Sequence, residues 1–406
     1  MNFKVHDHCR ICNSEKLIPY LDLGELPLSN NLADSADDPI HDQKFPLKVL
    51  FCQKCGLSQL SIVIPPEEMF AHYVYRSSIS QGYKDHCRQM ARELRKKFNL
   101  TENSFHIDIA GNDGALLNEF RDVIGCRSLN VDPAENLVEI NEEQGIRYFK
   151  TFWGIGAARH LIYTDWPKAD LITATNVIAH VDSIREFLMA AKMVLKQTGV
   201  LVIECPYLGD FIEKREFDCI YQEHVSYMSI YPLTIICREL GLNIMSVEHQ
   251  EIHGGSVRIT IGFGEADSSV MKYVLSERRK YGIIDVYHQF AEDVHLVINA
   301  FKSGLKSLTG RRISGFAASA KGSTLLNCAG IGPETMDYII DDTPEKQNKF
   351  SPGTRIPIKD ISWLQHSPPD YLVLLSWNFG KECMDRCRKN GYQGKFIYPL
   401  TFEIVE

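Results

Sequence analysis

The chain has 406 residues, 44% hydrophobic and 24% charged, which is long enough to bury two or three domain cores. Its net charge of -8 excludes a nucleic-acid partner held by a broad basic surface, and no apolar run is long enough to span a bilayer. The first residues, "MNFKVHDHCR", have no apolar stretch of the secretory kind, so a cytoplasmic protein with reduced cysteines is expected.

From the N-terminus, Cys9 and Cys12 form one CxxC, and Cys52 and Cys55 form a second. A two-residue spacer lets both sulfurs of a pair reach one ion, so two pairs satisfy tetrahedral zinc. A redox CxxC is the competing reading, but redox motifs come singly and beside a βαβ unit. Four thiolates close a site to water. The zinc is therefore expected to be structural, within a small zinc-binding domain at residues 1–72.

The second region, 73–304, opens with "YKDHCRQMARELRKKF", a helix pattern with a basic exposed face. In "SFHIDIAGNDGALLNEF" a short apolar strand, a Gly-bearing turn and an amphipathic helix follow one another. "SLNVDPAENL" repeats the strand and ends it with Asp132, and two more strands read at "ADLITATNVI" and "GVLVIECPYL". That order is the opening of a doubly wound α/β sheet, with a ligand across the carboxyl ends of its first strands. The turn "DIAGNDGAL" lacks the GxGxxG pattern that admits a pyrophosphate, so it suits a ligand without phosphates, such as S-adenosylmethionine. The ligand's amino-acid end would sit on the turn Gly111, Asn112, Asp113, Gly114, with Asp132 accepting from both ribose hydroxyls. Asp108 and Asn176, at the ends of their strands, complete the expected cofactor set. A plain turn whose Asp caps the helix is the bland alternative.

"YQEHVSYMS", residues 221–229, places a phenol, a carboxylate and an imidazole together. For a ketone substrate, carbanion formation needs a base for the α-proton and a donor for the developing oxyanion. His224 suits the base because its ordinary pKa lies near neutrality. Tyr221 shares its face if the segment is helical, and Glu223 then points elsewhere. An ordinary loop cluster is the alternative. His180 follows the fourth strand, where ligands of such sheets gather, and Tyr75 lies in "HYVYRSS". In "HGGSVR", His253, Gly254 and Ser256 mark either close ligand approach or a hairpin turn. After a helix and two strands, residues 268–308 have helical periodicity with few breakers. The third region, 305–406, reads as a second Rossmann-like unit, and "SAKGST" sets Ser319 and Lys321 at a helix start, suited to phosphate or equally to an N-cap beside a solvated Lys.

These segments, with "LPLSNNL" and "DDTPEKQNKFSPGTRIPI", resemble in order the sugar C-methyltransferases that methylate a nucleotide-linked 4-keto-6-deoxy sugar, the family of the tetronitrose C-methyltransferase. The resemblance runs the length of the chain. It implies a zinc-bearing N-terminal domain, a central S-adenosylmethionine domain and a C-terminal Rossmann-like domain. It also implies that His224 removes the proton from sugar carbon 3, while Tyr221, Glu223, His180 and Tyr75 bind the sugar and steady the enolate. Substrate contacts are expected from His253, Gly254, Ser256, Ser319, Lys321 and Lys346, on a thymidine or guanosine diphosphate carrier. A monomer is expected. The chain departs from the family at Ala110 and Asn348, where Gly is usual. A non-catalytic zinc-stabilised nucleotide-sugar binder and an O- or N-methyltransferase remain as alternatives.

Overall fold

A computed structural model describes residues 2–37 and 43–406. The N-terminal strands Leu17–Pro27, Lys44–Cys52 and Ser58–Leu60 form an antiparallel meander. The fourth strand of that sheet comes from far along the chain: Ser226–Tyr227 pairs antiparallel with Ser58–Leu60. The end of the "YQEHVSYMS" segment is thereby part of the cysteine-bearing sheet.

The central sheet has seven strands. Numbering them in chain order within this region, their spatial order is 3-2-1-4-5-7-6, and Phe105–Ile109 is the first. The first to fifth are parallel, and Ser256–Gly262 runs antiparallel beside Leu195–Pro206. The helix Gln81–Phe98 covers one face because Tyr83, Cys87, Met90, Ala91 and Leu94 recur at helical spacing and are buried. Ser80 caps its start by accepting from the Tyr83 amide, and left-handed Asn99 ends it. The helical pattern over 268–308 resolves into two helices, Ser268–Lys280 and Ile284–Ser307. Gly282 lies between them, where a Cβ would stand 2.4 Å from the Arg278 carbonyl oxygen.

The C-terminal sheet has six strands in the spatial order 3-2-1-4-5-6, the Rossmann arrangement, with the last strand antiparallel. Two of the apolar cores cross between the sheets. One joins Cys9, Cys52, Cys55 and Leu57 to Ile172, Ile203 and Ile230 of the central region. The other joins Phe51 and Leu60 to the long helix Ile284–Ser307, to Leu325 of the helix Ala320–Ala329 and to Val373 of the C-terminal sheet. That helix buries Tyr287, Phe290, Val294, Ile298, Phe301 and Leu305, a stripe of three- and four-residue steps. Among the described residues, no helix is long and apolar enough to cross a membrane.

Candidate active site and metal centre

The three regions converge on a cavity of ≈ 860 Å³. At one end lies the 221–224 segment, which forms a turn closed by the His224 amide donating to the Tyr221 carbonyl at 2.9 Å. The segment is not helical, but the turn makes the contact that helical spacing would also have allowed. It brings the Tyr221 hydroxyl to 2.9 Å from His224 Nε2, with the rings 4.1 Å apart. His224 Nδ1 lies 2.8 Å from the Cys219 carbonyl, which can only accept, so Nδ1 carries the proton and Nε2 the lone pair. The His180 and His224 rings stand perpendicular with their centres 4.9 Å apart, and His180 Nδ1 has no hydrogen-bond partner among the described residues. Burial, helped by His180, holds the His224 pKa well below its ordinary value, so the imidazole is neutral. Burial raises the Tyr221 pKa well above its ordinary value, so it is a phenol.

Glu223 points away from this pair. It accepts from Asn30 Nδ2 at 2.6 Å and from the Tyr73 hydroxyl at 3.3 Å, and burial pushes its carboxyl up to about 7 against those two hydrogen bonds. Glu223 lies behind the cavity wall, whereas Asn30 and Tyr73 line it. Neither was singled out from the sequence. The signals available were the Asn pair in "LPLSNNL" and the aromatic run around Tyr75. Tyr75 itself lines the cavity edge-on to Tyr73, at 6.5 Å between rings, and it is Tyr73 that reaches Glu223.

On the cofactor side, Asp108, Gly111, Asn112, Asp132 and Asn176 line the cavity. Asp108 Oδ2 is buried beneath the turn without a hydrogen-bond partner among the described residues, and a Cβ on Gly111 would stand 2.7 Å from it. Burial pushes the Asp108 carboxyl up to about 7. Asp132 accepts from the amides of Asn112 and Ala134 and from the Tyr148 hydroxyl, leaving one lone-pair direction on Oδ2 for a ligand. Asp113 and Gly114 stand outside the lining. Asp113 accepts from the Ser78 amide and hydroxyl, and the hydroxyl bond measures 2.6 Å. Gly114 is left-handed at φ +80°, and a Cβ there would strike Ile146. Ala110 holds the same backbone region at φ 51°, a strain on the order of 1 kcal/mol for a residue with a Cβ.

On the C-terminal side, His253, Ser319, Lys321 and Lys346 line the cavity, and Gly254 and Ser256 do not. Those glycines serve packing, since a Cβ on Gly254 would meet Glu216 at 2.5 Å and one on Gly255 would meet Asp210 at 2.3 Å. Ser256 donates to the Ile252 carbonyl. Ser319 caps its helix through the Gly322 amide. Lys321 folds inward, 3.6 Å from Glu216 and 4.7 Å from the Trp377 ring centre. Lys346 donates to the Ala318 carbonyl and pairs with Asp341 at 3.4 Å. The same unit also grips the stretch leading into the 221–224 turn, through Thr324 to the Ile220 carbonyl and Trp377 to Asp218.

The four cysteine sulfurs of residues 9, 12, 52 and 55 lie within 4.8 Å of one another, with Cys9–Cys55 at 3.4 Å and Cys12–Cys52 at 3.6 Å. Sulfurs at about 2.3 Å from a tetrahedral zinc stand about 3.8 Å apart, so the donor set fits zinc. Between the first two ligands, Arg10 runs inward to the Leu60 and Ile62 carbonyls and to Asp182, two residues beyond His180. Burial raises the Asp182 carboxyl, but His6 and Arg10 outweigh it and hold the group down to about 2.

The description "C-methyltransferase C-terminal domain" matches residues 251–401, "Putative zinc binding domain" matches 9–70 and "Methyltransferase domain" matches 83–247. The C-methyltransferase NovU of Streptomyces niveus is 32% identical over 405 residues, covering 97% of this chain and 95% of that protein. The chain belongs to the C-methyltransferase family. Among solved structures, magnesium protoporphyrin IX methyltransferase from Synechocystis PCC 6803 with bound SAH aligns at 12% identity and a TM-score of 0.35, covering 44% of this chain and 83% of that one. A putative methyltransferase in complex with the Haloferax volcanii Trm112 activator aligns at 14% and 0.36, covering 46% and 93%. This C-methyltransferase uses S-adenosylmethionine and carries a zinc-binding domain, as the motifs implied.

The buried imidazoles carry a pH signature. Burial brings His106 down to about 3 and His180 to about 4, and it depresses His224 as well. Each is neutral when folded and takes a proton at about 6.5 when unfolded, so the stability it contributes is complete above about pH 6.5 and falls away below it. Each such group accounts for about 1.4 kcal/mol per pH unit down to its folded pKa. Denaturant melts between pH 7 and pH 5 should show a loss steeper than the carboxylates alone produce, and His106→Gln should flatten it.

Proposed function

We propose that this C-methyltransferase methylates carbon 3' of a nucleotide-linked 4-keto-6-deoxy sugar through an enolate, with His224 as the base. The observation that carries the reading is the Tyr221–His224 pair. A neutral imidazole fixed by the Cys219 carbonyl presents its lone pair to the cavity, where it accepts from the Tyr221 phenol. When the substrate replaces that phenol at Nε2, the base takes the carbon 3' proton and Nδ1 keeps its hydrogen bond to Cys219. The freed Tyr221 hydroxyl donates to the oxygen at carbon 4', where charge develops. S-adenosylmethionine, when bound, supplies an electrophilic methyl group. Asp108, the Gly111 turn, Asp132 and Asn176 would hold it, since Asp108 Oδ2 and the open lone-pair direction of Asp132 are left to accept from a ligand's donors.

His180 packs against the base and Tyr73 and Asn30 face the sugar, with Glu223 fixing both. Residues from 1–72, 73–304 and 305–406 all line the cavity, and the enzyme is taken to act as a monomer assembled from these three regions. The test is incubation with S-adenosylmethionine and the thymidine- and guanosine-diphosphate 4-keto-6-deoxy hexoses. A methyl singlet on a quaternary carbon is expected in the NMR spectrum. A methyl ether would transfer the chemistry to oxygen and defeat the proposal.

A further inference from the structure

The cations facing the cavity differ in how firmly they are already held. Lys346 and Asp341 are 7% and 8% exposed, and Asp341 also accepts from the Ala318 and Thr343 amides. Lys321 is 15% exposed against a Glu216 that is 3% exposed, with Asp218 among the groups that hold its charge. Arg386 is flanked by two carboxylates, Asp342 and Glu382. Releasing any of these to a ligand strands a buried carboxylate or sets the ligand's anion against a second one. Arg76 is different. Its partner is Glu345, and the two are 34% and 33% exposed, a setting in which an ion pair contributes little and can be exchanged.

Arg76 also occupies a special place. Its neighbours are stitched to the cofactor turn: the Ser77 amide donates to Asn112 Oδ1, Asn112 Nδ2 donates to the Tyr75 carbonyl, and Ser78 donates to Asp113. On its other side the strap touches the C-terminal unit, through Arg76 to Glu345 and Ser80 to Glu382 at 3.2 Å. A strap bonded to both sides of the cavity transmits what happens at one side to the other.

We propose that Arg76 is the diphosphate-binding cation of the sugar nucleotide, exchanging Glu345 for phosphate oxygens, and that this exchange fastens the strap over the cofactor so that the two ligands bind cooperatively. The inference rests on the nucleotide-sugar reading above and adds the residue that recognises the carrier. An arginine fork matches two phosphate oxygens at once, which a lysine cannot. Reciprocity then requires each ligand to tighten the other by one common factor.

Isothermal titration of the full chain with thymidine and guanosine diphosphates, each with and without S-adenosylhomocysteine, tests it. The wild type is expected to bind one nucleotide, and more tightly when S-adenosylhomocysteine is present. R76Q should bind that nucleotide about tenfold more weakly and lose the mutual enhancement. E345Q removes the competing anion and should bind it more tightly, an effect that a merely structural role for the pair does not produce. Equal nucleotide affinity in wild type and R76Q, or weaker binding by E345Q, overturns the assignment. A wild type that binds neither nucleotide instead brings down the nucleotide-sugar reading, and this assignment with it.

Discussion

His224→Ala is expected to lower methyl transfer by about 10²- to 10⁴-fold, the range of a positioned general base, and to abolish deuterium uptake from solvent at carbon 3'. The two readouts separate roles. In the proposed mechanism proton abstraction precedes methylation, so a variant that loses only methyl transfer has kept its base. Tyr221→Phe leaves the imidazole and its Cys219 tether in place and removes the donor to the oxyanion, so turnover should fall by about 10². Residual methylation in either variant would come from holding the reactants in contact. NMR of the substrate in deuterated buffer measures the exchange. Rapid exchange persisting in His224→Ala would assign proton removal to another group, and His180, 4.9 Å away between ring centres, would be the first to test.

The second large effect is expected at the metal. Cys55→Ser, or stripping the zinc with a strong chelator, should cause a cooperative loss of structure well beyond the N-terminal sheet. Structural zinc supplies on the order of 10 kcal/mol of folding free energy in isolated zinc-finger peptides. The contribution here is smaller, because Phe45, Leu47, Val49 and Leu60 give the sheet its own buried apolar residues. The effect nevertheless spreads, since Cys9, Cys52 and Cys55 are packed in the same core as the central strands. Thermal melts monitored by circular dichroism, with zinc measured by mass spectrometry, are the check. A zinc-free protein melting at the temperature of the loaded one would remove the metal from the stability argument.

The strongest sequence signals were those with chemistry and spacing combined. The paired CxxC motifs, the strand-turn-helix around Gly111 and the run of alternating strands and helices led directly to the sheets observed. Weakly patterned elements escaped. Arg147–Lys150 is an edge strand with no buried residue, and two C-terminal strands, Ile339–Ile340 and Ile358–Lys359, are only two residues long, too short to show alternation. The site was legible where its residues are neighbours in sequence, as in the 221–224 turn. It was not legible where partners come from distant parts of the chain. Asn30 and Glu223 are separated by 193 positions, and Tyr73 and Glu223 by 150. "HGGSVR" misled in a different way, because its glycines answer to the side chains of Glu216 and Asp210 and only His253 faces the cavity.

Arg10 and the Ser226–Tyr227 strand together limit how this scaffold can be engineered. One ties the loop after His180 to the cysteine knuckle, and the other sews the end of the His224 turn into the N-terminal sheet. Cutting away the first unit would leave Asp182 without its guanidinium and Glu223 without its amide donor. Chimeras built by exchanging whole N-terminal modules between relatives would therefore have to carry matching seams at residues 10, 30, 182 and 223, or they would arrive with a disordered cavity wall.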